Sequence, residues 1–169
     1  RPRQSHRERS RRWKRGARGF GFAESTDQGN GNGVCCGAVV RIDCAVDGFS
    51  FSAASVGGLD ATDAVCTLVD RLDRDDVQYL LVSGVAPAWF NVLDLDRIAA
   101  VAERPVLSIS FEESDGLAPA LREQFDGDAL DARLRRYERL PPRRRLRIND
   151  ESVFVRSVGF EDGLGTASS

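Results

Sequence analysis

The chain has 169 residues, 41% of them apolar, which suits one domain with one core. No run approaches the roughly 20 apolar residues that cross a bilayer, and the first residues are charged, so a soluble cytoplasmic protein is expected and a membrane or secreted one is not. The net charge of −2 hides a division: residues 1–18 hold nine basic groups against Glu8, leaving 15 of the 24 basic and 25 of the 26 acidic residues to the rest, a net of −10. Lys14 is the sole lysine, which with the excess of aspartate points to a salt-adapted or GC-rich source. Cys35, Cys36, Cys44 and Cys66 lack the spacing of a zinc site and the one histidine is His6, so structural zinc is not expected and the thiols are read as small reduced hydrophobes.

Residues 1–18 lack apolar periodicity and read as a basic leader with too little to bury. Its arginines and Trp13 have the chemistry to meet phosphates and a base. From Gly19 the period becomes two. "GFGFAES", "GVCCGAVVRID" and "CAVDGFSFSAAS" predict three successive strands, the first two joined through the "QGNGNG" loop, whose residues tolerate positive φ. That loop lacks the Lys-Ser/Thr ending of a phosphate cradle. "LDATDAVCTLVDRLD" then carries Val65, Leu68, Val69 and Leu72 at helical spacing, with Asp60 where an N-cap belongs. "VQYLLVSG" predicts a buried strand, "LDLDRIAAVAER" a helix, "PVLSISF" another strand, and "LAPALREQF" and "DALDARLRRYERL" two helices before a last strand, "SVFVRSVGF". Residues 19–159 thus form an α/β domain, and 160–169 an irregular tail.

Three antiparallel strands followed by alternating helices and parallel strands is the ribonuclease H-like order. When that fold is a nuclease, carboxylates at the end of the first strand, near the first long helix and at the end of the fourth strand hold magnesium, which activates water. Those positions are Ala23 and Glu24, Asp60, and Ser83.

The segments "GFAES", "VGGLDAT", "SGVAPAWFNVLD" and "RPVLSISFE" resemble the archaeal endonuclease dU family, related in fold to endonuclease V, over about Gly19 to Gly159. The resemblance implies metal-dependent cleavage of DNA at deoxyuridine, the product of cytosine deamination. It implies a magnesium or manganese site on Glu24, Asp60 and Ser83, with Glu24 and Asp60 catalytic. The site departs from the family pattern, which has two aspartates where this chain has Ala23 and Glu24, and Asp-Gly where it has Ser83-Gly84. A neutral serine ligates magnesium weakly, so the site is read as partly degenerate. A non-catalytic nucleic-acid-binding protein of the same fold is the alternative. The family resemblance also implies a further helix after the last strand, without which that strand is expected to expose apolar surface.

DNA is the expected partner. Phe90, Asn91, Arg136, Arg143, Arg144 and Arg145 are the candidate contacts, the arginines belonging to a cluster from Arg133 to Arg147 that holds eight of the fifteen basic residues outside the leader. Each candidate has a structural alternative. Asp60, Asn91 and Asp94 suit helix capping, Trp89 and Phe90 suit a core, and the arginines suit a solvated helix face near its C-terminus.

Overall fold

Glycine alternating with phenylalanine starts the domain, because a strand sends successive side chains to opposite faces and so gathers Phe20 and Phe22 on one side. In the computed structural model, which describes residues 17–26 and 31–160, β1 (Arg18–Thr26), β2 (Asn32–Arg41) and β3 (Val46–Ser55) form an antiparallel meander. α1 (Ala61–Leu72) leads into β4 (Val77–Ser83), then the single turn α2 (Pro87–Phe90), α3 (Leu95–Ala102) and β5 (Val106–Ser110). α4 (Ala118–Gln124), α5 (Gly127–Glu138), β6 (Arg144–Ile148) and β7 (Glu151–Val158) complete it.

The seven strands make one mixed sheet in the order β3-β2-β1-β4-β5-β7-β6. β4 runs parallel to β1 and to β5, while β7 runs antiparallel to β5. This is the ribonuclease H-like arrangement expected from the sequence. Residues 1–16 of the leader, 27–30 of the "QGNGNG" region and 161–169 of the tail lie outside the described residues, and β1 begins at Arg18, inside the expected leader boundary. No described helix is long and apolar enough to cross a membrane.

The core lies between one face of the sheet and helices α1 and α3. Phe20, Phe22, Cys35, Val39, Leu80, Val82 and Val106 from the strands meet Val65, Leu68, Leu95 and Ile98 from the helices. Cys35 is buried and its neighbour Cys36 is only half-buried, as the pleat requires, and all four cysteines are free thiols. The opposite face presents Val34, Phe49 and Phe51, all exposed.

Two elements escape the sequence reading. β6 has every residue exposed, so no burial signal marks it. It pairs with β7 through a two-residue turn in which Asn149 and Asp150 take φ of 49° and 66°, the mirror-image turn that suits the twist of a hairpin. α2 is too short for any periodicity. The arginines from Arg143 to Arg147, for which a helix face near its C-terminus was the structural alternative, therefore belong to a strand and its approach.

Gly37 exists for Phe20. A β-carbon at position 37 would stand 2.1 Å from Phe20 Cζ, and Phe20 is buried with nowhere to move. Gly37→Ala is expected to cost about 1–3 kcal/mol through overpacking, read as a lower urea midpoint with an unchanged m-value.

Candidate active site and nucleic-acid surface

β1, β3 and β4 all end on the same edge of the sheet, where the connections to α1 and α2 leave, and it is there that the candidate residues collect. Glu24 lies two residues beyond Phe22 and therefore on the same helix-bearing face, directly opposite Cys35 of β2. Its Oε2 is buried without a hydrogen-bond partner among the described residues. Position 33 is a glycine next to it, and a β-carbon there would come within 3.3 Å of that oxygen.

Asp60 stands at the N-cap position of α1, since its carbonyl accepts from Ala64 N–H, but its side chain caps nothing. The carboxylate turns back to the end of β3. Ser55 N–H donates to Oδ1 at 3.0 Å, Ser55 Oγ to Oδ2 at 2.7 Å, and Asn91 Nδ2 to Oδ1 at 2.7 Å. Burial pushes the Asp60 pKa up, yet the hydrogen bonds from Ser55 and Asn91 outweigh it and hold the carboxyl below its ordinary value.

The cap is supplied by Asn91 instead. Its Oδ1 accepts from Ala61 N–H at 2.9 Å and its Nδ2 also donates to Ser55 O at 2.9 Å, so one side chain with 0% exposure ties β3, α1 and the β4–α3 connection together. The sequence alternative had Asn91 or Asp94 capping the following helix. Asp94 does so, accepting from Arg97 N–H at 3.0 Å, while Asn91 serves the helix before it. Fully enclosed and with its amide engaged, Asn91 offers DNA no contact.

Glu24 and Asp60 both act on Cys35. Its thiol pKa is pushed up to about 11, first by burial and then by the charges of Glu24 and Asp60, so both carboxylates act on the same sulfur. Ser83 does not join them. Val82 pairs with Phe22 and faces the core, so the next residue points to the opposite face, where Ser83 is exposed. Of the three donors expected for a divalent cation, Ser83 lies on the face opposite to Glu24, and among the described residues no three His, Cys, Asp or Glu side chains gather as metal ligands.

The aromatic residues beyond β4 form a cluster. Ala88, Trp89 and Phe90 take φ of 47°, 54° and 62°, three consecutive left-handed residues, each costing about 1–2 kcal/mol. Neighbouring bonds hold them: Gly57 N–H donates to Ala88 O at 2.7 Å, Asn91 N–H to Pro87 O at 3.1 Å, and Leu93 N–H to Val85 O at 2.8 Å. Phe90 is half-buried, edge-on to Trp89 at 5.5 Å and to Phe125 at 5.9 Å.

The basic cluster separates into two groups. Arg133 is only 4% exposed, stacks 3.8 Å over Phe125, and donates to the carbonyls of Gly57, Gly58 and Ala129. Arg136 donates to Leu59 O at 2.8 Å and Val92 O at 3.2 Å. Neither pairs with a carboxylate among the described residues, and burial followed by the charge of Arg136 lowers the Arg133 pKa. The inward turn of Arg133 was legible: with Leu130, Leu134 and Tyr137 it completes an i, i+3, i+4, i+7 stripe. Ser55 carried no such signal. Arg143 and Arg145 lie at the far end of the sheet over Phe154; Arg143 anchors the loop at Glu112 and Ser114, Arg145 meets Ser152 and the exposed Glu113, and Arg144 is exposed on β6.

The family model for endonuclease dU matches residues 15–164, and the chain belongs to that family. A UPF0215 protein of Pyrobaculum aerophilum is 28% identical over 142 residues, covering 83% of this chain and 75% of that one. A UPF0215 protein of Pyrobaculum calidifontis is 32% identical over 95 residues, covering 56% of this chain and 52% of its relative. The relative from Pyrococcus horikoshii, 26% identical over 121 residues, is covered to 63% of its length, so the chain spans between about half and three quarters of these proteins. Among solved structures, a protein of unknown function from Archaeoglobus fulgidus superposes with a TM-score of 0.73 at 23% identity, covering 86% of this chain and 80% of that one. Endonuclease V of Ciona intestinalis, solved with inosine-containing DNA, superposes with a TM-score of 0.51 at 10% identity over 85% of this chain and 72% of its own. These likenesses establish the shared fold.

The geometry around Asn91 makes two measurable statements. Asn91→Ala leaves buried partners on Ala61, Ser55 and Asp60 unserved and is expected to cost roughly 2–4 kcal/mol in urea unfolding. Because the folded pKa of Asp60 is depressed, its stabilising effect is present above about pH 4 and is lost as pH falls through the folded value. Asp60→Asn should accordingly flatten the decline of unfolding free energy on acidification below about pH 4, measured by urea titrations at stepped pH.

Proposed function

We propose that this chain acts on DNA containing deoxyuridine as a metal-dependent endonuclease, with a divalent cation, Mg²⁺ or Mn²⁺, held by Glu24 and Asp60. The observation that carries this reading is the Glu24 carboxylate oxygen, buried without a hydrogen-bond partner among the described residues, opposite Cys35, whose thiol also feels the charge of Asp60. A buried acceptor without a partner is uncommon, and a bound cation is one of the few groups that would satisfy two neighbouring anions at once. The cation would supply Lewis acidity for the scissile phosphate and its attacking water.

The chain's own residues have distinct tasks in this reading. Ser55 and Asn91 keep the Asp60 carboxylate oriented and ionised. Arg136, fixed by the carbonyls of Leu59 and Val92, places positive charge at the loop that leads into α1, which suits a polyanion that must approach an acidic domain. Arg143, Arg144 and Arg145, toward the β6–β7 edge of the sheet, would add phosphate contacts that set affinity without reading sequence.

A binding protein that does not cut is the second reading. It is favoured by Ser83 on the wrong face and by the Asp60 oxygens already engaged by Ser55 and Asn91. Nicking of uracil-containing duplex in magnesium or manganese separates the two. Cleavage that falls by about 100-fold or more in Glu24→Gln and Asp60→Asn supports the nuclease. Binding that weakens with salt, with no nick from the wild type in either metal, supports the second reading. Absence of both binding and cleavage would falsify each.

A further inference from the structure

We propose that Trp89 is the platform on which an unstacked nucleobase lies, next to the two carboxylates. This deepens the reading above and rests on it. Trp89 is 53% exposed, whereas Ala88 before it and Asn91, Val92 and Leu93 after it are fully buried. The turn that presents it is left-handed at three successive residues, a conformation that side chains other than glycine rarely take and that the surrounding bonds impose.

The ring is held on several sides. Phe90 meets it edge-on at 5.5 Å, Phe125 at 5.7 Å, and the absent side chain of Gly57 leaves the indole its place, since a β-carbon there would sit 3.0 Å from it. A rigid, half-exposed aromatic surface loses little freedom when a flat partner settles on it. Its position selects the partner. Asn91, two residues on, binds Asp60 directly, so a group resting on Trp89 has its attached chain close to the acidic pair. Arg133 and Arg136, neither paired with a carboxylate among the described residues, donate to the carbonyls of Gly58 and Leu59, and the less buried Arg136 also to Val92 next to this turn, where its charge attracts a phosphodiester. Aromatic surface beside uncompensated arginine is the combination that single-stranded or extruded nucleotides recognise.

The test uses the full chain in a Trp13→Phe background, where Trp89 is the single tryptophan. A labelled uracil-containing oligonucleotide, single-stranded and duplex, is titrated while anisotropy follows binding and indole emission follows stacking. Emission is expected to be quenched in step with the anisotropy. Trp89→Gly, which accepts the positive φ freely and so preserves the turn, should bind roughly 5- to 150-fold more weakly, while Trp89→Phe recovers most of the affinity. Thermal unfolding midpoints establish that both variants are folded. Binding by anisotropy with unchanged emission and wild-type affinity in Trp89→Gly overturns the stacking role and leaves the nucleic-acid reading standing. If no oligonucleotide binds the wild type at all, that reading fails and the platform with it.

Discussion

The amide of Asn91 is the constraint on which the candidate site depends. It meets a backbone donor of α1, a backbone acceptor of β3 and a carboxylate oxygen of Asp60, and it does so fully enclosed, where an unmade hydrogen bond costs most. Because those partners come from three parts of the chain, the position of Asp60 is a tertiary property. The same bonds that align Asp60 also keep it ionised, so the geometry and the charge of the site have one cause. They occupy its oxygens as well, which leaves Glu24 as the acid with capacity to spare.

Around that clamp lie charged groups of both signs. Burial, then the charges of Glu24 and Asp60, raise the Cys35 thiol pKa, while Arg133 and Arg136 donate to carbonyls of the loop between β3 and α1, Arg133 Nε being left without a partner among the described residues. Hydrogen bonding a guanidinium to neutral acceptors keeps its charge, so the loop between β3 and α1 carries positive potential. In a domain that is otherwise strongly acidic, this local arrangement matters more to a polyanion than the net charge of the chain.

The sheet and helices were readable because each rests on local periodicity. Phe20 and Phe22 at a spacing of two, and Val65, Leu68, Val69 and Leu72 at helical spacing, bury one face whatever lies elsewhere. β6 was not readable, since its five exposed residues show no contrast between faces and its turn signal is a single Asn-Asp pair. At the site, the identity of Glu24 and Asp60 as neighbouring acids came from resemblance. The failure of Ser83 to join them is a matter of pleat: its register against β1 puts Val82, not Ser83, on the core side.

The sequence by itself determined the order of the periodic elements, the acidic body and the absence of an aspartate at position 83, because composition and periodicity are properties of consecutive residues, while its motifs carried the resemblance to the family. Only the tertiary structure decided that Asn91 caps the helix before it, which carbonyls receive Arg133, and that Trp89 is held out on a left-handed turn. Each of these depends on which distant backbone groups need partners once the sheet has closed over its core, and that need does not exist until the chain has folded.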